Sequence, residues 1–196
     1  LEFCTMYPEY VNKLISISSG YKLSTLQTLH NLEQAYILDL GRESSNRNIE
    51  YLSLARMVAH KTYISLELLS NRAKSETLYD DDLIKGFLST PQESYMMHQG
   101  EKFIERFTPE SYLSIIKGWQ NFKIEQEDLN KIKDIETLVI SVDSDVCFYP
   151  DEQKEFLEIL NNHEIKTTYT TINSTKGHDS FLLEPELFED TLKNFL

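Results

Sequence analysis

The pattern Gly-x-Ser-x-Gly is missing from these 196 residues. That pattern turns a strand sharply into a helix and lifts a serine nucleophile out of the backbone. With six glycines in all, the chain carries no recognisable serine nucleophile. Cysteine is equally scarce. Two of them exclude a disulfide framework and offer no metal-ligand spacing, and they fit a reducing, cytoplasmic setting. Cys4 and Cys147 read as packed thiols rather than reactive ones. Positive charge is also short. Nineteen Lys and Arg face 32 Asp and Glu, for a net charge of −13. A surface that acidic repels phosphate backbones, which argues against nucleic acid and against an anionic membrane as partner. No apolar run is long enough to span a bilayer, and no signal peptide is seen. The chain lacks an initial Met, and Leu1-Glu2-Phe3-Cys4 reads like the middle of a helix.

What is present is ordinary for a globular domain, with 40% hydrophobic and 26% charged residues. The chain reads in three parts, residues 1–21, 22–130 and 131–196. The first is a helix end stopped at Pro8, then a strand from Lys13 to Ile17. The second is helical. Leu23, Leu26, Leu29, Ala35 or Tyr36, and Leu40 recur at steps of three and four and predict one inner face. Leu52, Ala55, Ala59, Thr62, Leu66 and Leu69 predict another, and a further helix spans about 94–107. Thr108-Pro109-Glu110 has the N-cap, proline and first-turn acid of a helix start. The third part alternates: a strand Thr137–Val142, a helix from Pro150 to Leu160, a strand Lys166–Ile172, and a last helix after Glu184 with Leu187, Phe188, Leu192, Phe195 and Leu196 inward. Alternation of this kind predicts an α/β fold, a parallel sheet with covering helices. Three strands are few for such a sheet, whose remaining strands should precede Leu1.

Gly177-His178-Asp179 follows the last strand, and Asp145 follows the strand before it. Loops after strands are where α/β sheets place function. A carboxylate near a histidine fixes the ring's tautomer and stabilises the imidazolium. An acid after one strand and a histidine after the next is the chain order of an α/β-hydrolase relay. Asp143 competes with Asp145 for the orienting role, and spacing leaves that choice open. Arg56, His60 and Tyr63 share one face of a helix. A guanidinium suits a carboxylate, since it presents paired donors in a fixed plane. His60 reads as a packed or surface residue. Asp179 could meet an ammonium group or cap a turn. Asp80-Asp81-Asp82 has no metal-loop spacing around it and reads as a solvated loop. Tyr95, Phe103, Phe107, Tyr112 and Trp119 read as core or interface.

Four segments resemble homoserine O-acetyltransferases of the α/β-hydrolase type, in the right order. They are Leu54 to Tyr63; Tyr95 with Gln99 to Phe103, Arg106-Phe107 and Ser111-Tyr112-Leu113; Val139 to Asp145; and Gly177 to Leu182. The resemblance implies the C-terminal part of an α/β-hydrolase fold, with core at 1–21 and 131–196 and a helical lid insertion at 22–130. It implies that Asp145 orients His178, and that Arg56, Tyr63 and Asp179 bind homoserine. It implies acetyl transfer from acetyl-CoA to L-homoserine by a ping-pong Ser-His-Asp mechanism in methionine biosynthesis. The serine would lie a few residues before Leu1. No metal and no cofactor beyond the co-substrate acetyl-CoA is implied, and the lid helices would form a homodimer. Departures are Tyr149 before a single Pro150, and Ser180 where a small apolar residue is common. Competing readings are an esterase using the same relay on water, a relative using serine or succinyl-CoA, and an inactive fragment with only an interaction role.

Overall fold

A computed structural model describes residues 1–42, 48–72 and 90–196. It divides into two compact units: Leu1–Ser24 with Phe122–Leu196, and Thr25–Asn121.

The first unit is built on a parallel sheet. Strands β1 (Lys13–Ile17), β2 (Glu136–Val142) and β3 (Thr167–Ile172) lie in the order β1-β2-β3. Ile15 pairs with Leu138, and Ile140 with Thr170. The central strand is buried on both faces, as a parallel sheet covered on both sides requires. Val139 joins one core with Cys4 of α1 (Glu2–Met6), Phe156 and Leu160 of α7 (Pro150–Asn162), Leu129, Ile132 and Ile165. Leu138, Ile140 and Val142 face the other core with Ile172 and Phe188 of α9 (Glu186–Phe195), which follows the short α8 (Ser180–Leu183). The flanking strand β3 carries threonines, and Thr168 and Thr171 are exposed.

Sequence and structure differ in detail here. In α9, Phe188, Leu192 and Phe195 face the sheet, whereas Leu187 and Leu196 point outward. Residues 122–130, read as the end of the helical part, belong with the sheet. Ile124 and Leu129 are buried in its core, and that apolar demand outweighs the polar look of the segment. The two chain crossings between units lie side by side. Ile124 N–H donates to the Tyr21 carbonyl at 2.7 Å, Lys22 and Lys123 form an antiparallel bridge, and the Tyr21 ring stacks on Phe156 at 5.9 Å.

The second unit consists, among the described residues, of α2 (Thr25–Arg42), α3 (Asn48–Tyr63), α4 (Leu66–Arg72), α5 (Pro91–Ile104) and α6 (Pro109–Gln120). Its core gathers Leu38, Leu52, Ala55, Phe103, Tyr112, Leu113 and Ile116. Capping boxes start α5 at Thr90 with Glu93, and α6 at Thr108 with Ser111. Two predicted apolar faces are corrected. In α2, Leu26, Leu29, Tyr36 and Leu40 are exposed, while Gln27, Asn31, Gln34 and Leu38 are buried. The predicted run Leu52 to Leu69 breaks after Tyr63. Ser65 Oγ accepts from Leu68 N–H at 3.1 Å and so caps a new helix, leaving Leu66 exposed. Asp80-Asp81-Asp82 lies outside the described residues.

Candidate active site

β2 ends at Val142, and the chain turns at once. Asp145 N–H donates back to the Val142 carbonyl at 3.2 Å. Asp145 is 1% exposed, so its charge needs compensation. Its Oδ1 accepts N–H bonds from Cys147 at 2.7 Å and Phe148 at 2.8 Å. This is an Asx-type turn, in which the carboxylate replaces a backbone acceptor. The other oxygen, Oδ2, lies 3.0 Å from His178 Nδ1. The carboxylate is acceptor-only, so Nδ1 donates, and Nε2 becomes the nitrogen that can move a proton.

His178 arrives from β3 through residues 173–177. Gly177 sits at φ 75°, in the left-handed region that favours glycine. The imidazole is held on its faces as well as its edge. Phe148 stacks on it with centroids 5.5 Å apart, and Phe181 meets it edge-on at 5.7 Å. The residue that turns Asp145 Oδ1 inward therefore also supplies an aromatic wall for the histidine.

Asp143, the competing acid, is exposed. Its Oδ1 accepts from Ser174 N–H at 3.0 Å, so it holds the histidine loop rather than the histidine. Asp179 is partly buried in the same short turn as His178. Sequence reading missed Ser144, whose hydroxyl bonds to both Ser174 and Gly177. The only signal for it was its place beside Asp145.

Arg56, His60 and Tyr63 belong to the helical unit. The Arg56 guanidinium lies between two rings, 4.9 Å from Tyr63 and 5.0 Å from Phe103. Cation–π contacts of this kind hold the charge close to both rings. Arg56 Nη2 is 3.4 Å from His60 Nδ1, and His60 Nε2 is 3.3 Å from Tyr95 Oη. An arginine can only donate, so His60 Nδ1 accepts and the ring is neutral. Burial, together with the Arg56 and Arg72 charges, pushes the His60 pKa down to about 4. His60 is a packed histidine that steadies Arg56. The structure brings Asp145, His178 and Asp179 together in one unit, and Arg56 and Tyr63 together in the other. Among the described residues, no group of three or more His, Cys, Asp or Glu could hold a metal, and no helix is long and apolar enough to cross a membrane.

No family model matches the chain. Over its whole length it is 33% identical to a homoserine O-acetyltransferase of Methanosalsum zhilinae, covering 42% of that protein. It is 36% identical over 165 residues to the homoserine O-acetyltransferase of Pelagibacter ubique, 81% of this chain and 44% of that one. The chain thus spans less than half the length of these relatives, and resembles their C-terminal portion. A homoserine O-acetyltransferase structure from Bacillus anthracis superposes with a TM-score of 0.84 at 14% identity, over 99% of this chain and 55% of that one. Esterase E22 does so with 0.83 at 15% identity, over 98% and 56%. The fold is the α/β-hydrolase fold.

Proposed function

We propose that the chain is the C-terminal portion of an acyltransferase that moves an acetyl group from acetyl-CoA to the hydroxyl of L-homoserine. The observation that carries this reading is whole-length similarity to homoserine O-acetyltransferases at 33% identity. The Asp145–His178 geometry supports it. In this reading a serine in the part of the protein before Leu1 is the nucleophile. His178 Nε2 takes the serine proton as the hydroxyl attacks the thioester, then gives it to the departing coenzyme A sulfur. In the second half-reaction Nε2 takes the homoserine hydroxyl proton as that oxygen attacks the acyl-serine, and returns it to the serine. Asp145 orients the ring and offsets the imidazolium charge in both steps.

Homoserine offers a carboxylate, an ammonium and a hydroxyl. We assign the carboxylate to Arg56 and Tyr63, the ammonium to Asp179 and the hydroxyl to His178. Arg56 suits its role because the Tyr63 and Phe103 rings and His60 already hold it, which lowers the entropy lost on binding. The reading extends to a cytoplasmic homodimer acting in methionine biosynthesis, with no cofactor beyond acetyl-CoA as co-substrate.

The test is coenzyme A release by the full-length protein. Release should depend on L-homoserine and exceed that with L-serine or with no amino acid. Release independent of any acceptor would make the protein an esterase-like hydrolase. Arg56→Ala should lower kcat/KM for homoserine by about 10²–10³-fold, the cost of losing a paired guanidinium, while the burst of acyl-enzyme persists. Unchanged homoserine kinetics would sink the carboxylate assignment.

A further inference from the structure

Ser144 stands between the two acids of the β2 loop. Its hydroxyl donates to the Ser174 carbonyl and accepts the Gly177 N–H at 3.0 Å. One residue back, Asp143 Oδ1 accepts the Ser174 N–H at 3.0 Å. The two residues preceding Asp145 therefore hold both main-chain polar groups of Ser174 and the amide of Gly177. Ser174 is anchored from the far side too. Its Oγ donates to Glu184 Oε2 at 2.6 Å and accepts the Lys176 N–H at 3.0 Å.

We infer that Ser144 is a positioning residue for the His178–Asp145 pair. Asp145 and His178 are 33 residues apart and come from loops after different strands. A single hydrogen bond between side-chain tips leaves the separation of their backbones loose. Ser144 removes that freedom. It is covalently next to the acid, and its hydroxyl grips the amide directly before the histidine, at the left-handed Gly177. Both ends of the Asp145–His178 bond are then referred to one residue. The 3.0 Å bond becomes a consequence of the backbone framework rather than its cause. Removing the hydroxyl leaves the Gly177 N–H and the Ser174 carbonyl each short of a partner and lets the loops separate, and a shift of under an ångström misaligns a hydrogen bond of this kind. The functional meaning of the inference rests on the relay proposed above; its geometry does not.

The experiment uses the full-length protein with ¹⁵N-labelled histidine, assigned through His178→Gln. Ring nitrogen shifts report the tautomer, and the Nδ1-bound proton reports the bond to Asp145. In the parent, neutral His178 should be held as the Nδ1–H tautomer. Ser144→Ala should yield a tautomer mixture and speed exchange of that proton at least about tenfold, while Ser144→Thr, which keeps the hydroxyl, should restore the parent signature. Both half-reactions should slow together in Ser144→Ala by about 10–100-fold. If Ser144→Ala fails to fold, Ser144→Cys preserves the volume with weaker bonds and is read in the same way. A parent-like tautomer in the folded variant overturns the inference, as does failure of Ser144→Thr to restore it. Absence of homoserine-dependent transfer with the tautomer shift present would defeat only the proposed function. Transfer present with no tautomer shift would defeat only the role of Ser144.

Discussion

Both carboxylate oxygens of Asp145 are committed, one to two backbone amides and the other to the imidazole. This makes the outcome of Asp145→Asn calculable. The amide oxygen must face the Cys147 and Phe148 N–H groups, because an NH₂ there would oppose two donors. The NH₂ then faces His178 Nδ1, which is forced to accept. The ring flips to the Nε2–H tautomer, the wrong one for a base. Turnover in the full-length protein should fall by about 10⁴-fold with little loss of fold. Steady-state kinetics and the ring ¹⁵N shifts together check this. Near-normal turnover would mean that Asp145 does not set the tautomer. His60 supports a second prediction, on stability. Its folded pKa is pushed down to about 4, against about 6.5 when unfolded. Below pH 6.5 the unfolded chain takes a proton that the folded chain refuses. The stabilisation is complete above that pH and is lost as pH falls toward 4. Between pH 7 and pH 5 this costs roughly 2 kcal/mol. Denaturant unfolding at the two pH values should show a correspondingly smaller drop in His60→Gln. The residue scale also marks where spacing stopped informing. Asp143 and Asp145 differ by two positions, and only the turn geometry after Val142 decides which one looks inward.

At the scale of elements, α2 shows why a correct period can identify the wrong face. Leu26, Leu29, Tyr36 and Leu40 recur at helical steps, and so do Gln27, Asn31, Gln34 and Leu38. The two stripes are offset by one or two residues, and hydrophobicity selected the outer one. Burial followed the unit's polar partners instead. Tyr112 Oη donates to Gln34 Oε1, and Gln34 Nε2 donates to the His30 carbonyl at 3.1 Å. Elements with strong local signals fared better: the Thr108 cap, the mostly apolar β2 and the proline start of α7 were each legible, because capping and two-sided burial leave a mark within a few residues. The glycines of α5 and α6 give a paired prediction. A Cβ on Gly100 would meet the Ser53 carbonyl at 3.0 Å and also strike the Ser53 hydroxyl, whereas a Cβ on Gly118 meets nothing within 4 Å. Gly100→Ala should therefore destabilise by about 1–2 kcal/mol from crowding of α3 against α5. Gly118→Ala should stabilise by about 0.5–1 kcal/mol from reduced backbone entropy. Denaturant midpoints check both signs, and equal shifts would refute the close approach of the two helices.

For the whole molecule, alternation of strand and helix made the α/β sheet legible, and the long helical stretch made the insertion legible. The seam between them was not. Residues 122–130 look polar enough for a loop, yet Ile124 and Leu129 are sheet-core residues. The seam itself is compact: the outgoing chain at Tyr21 and Lys22 is hydrogen-bonded and bridged to the returning chain at Lys123 and Ile124. An excursion of 97 residues, Thr25 to Asn121, thus departs from and returns to nearly one point. Such a junction behaves as a socket. Any insert whose ends meet at that spacing can be seated without disturbing Asp145 or His178, which lie outside the excursion. Helical inserts of different character could then be exchanged by recombination or by design on an unchanged Asp145–His178 pair. Asp145, His178 and Asp179 would stay with the sheet unit through any such exchange, whereas Arg56 and Tyr63 would travel with the insert.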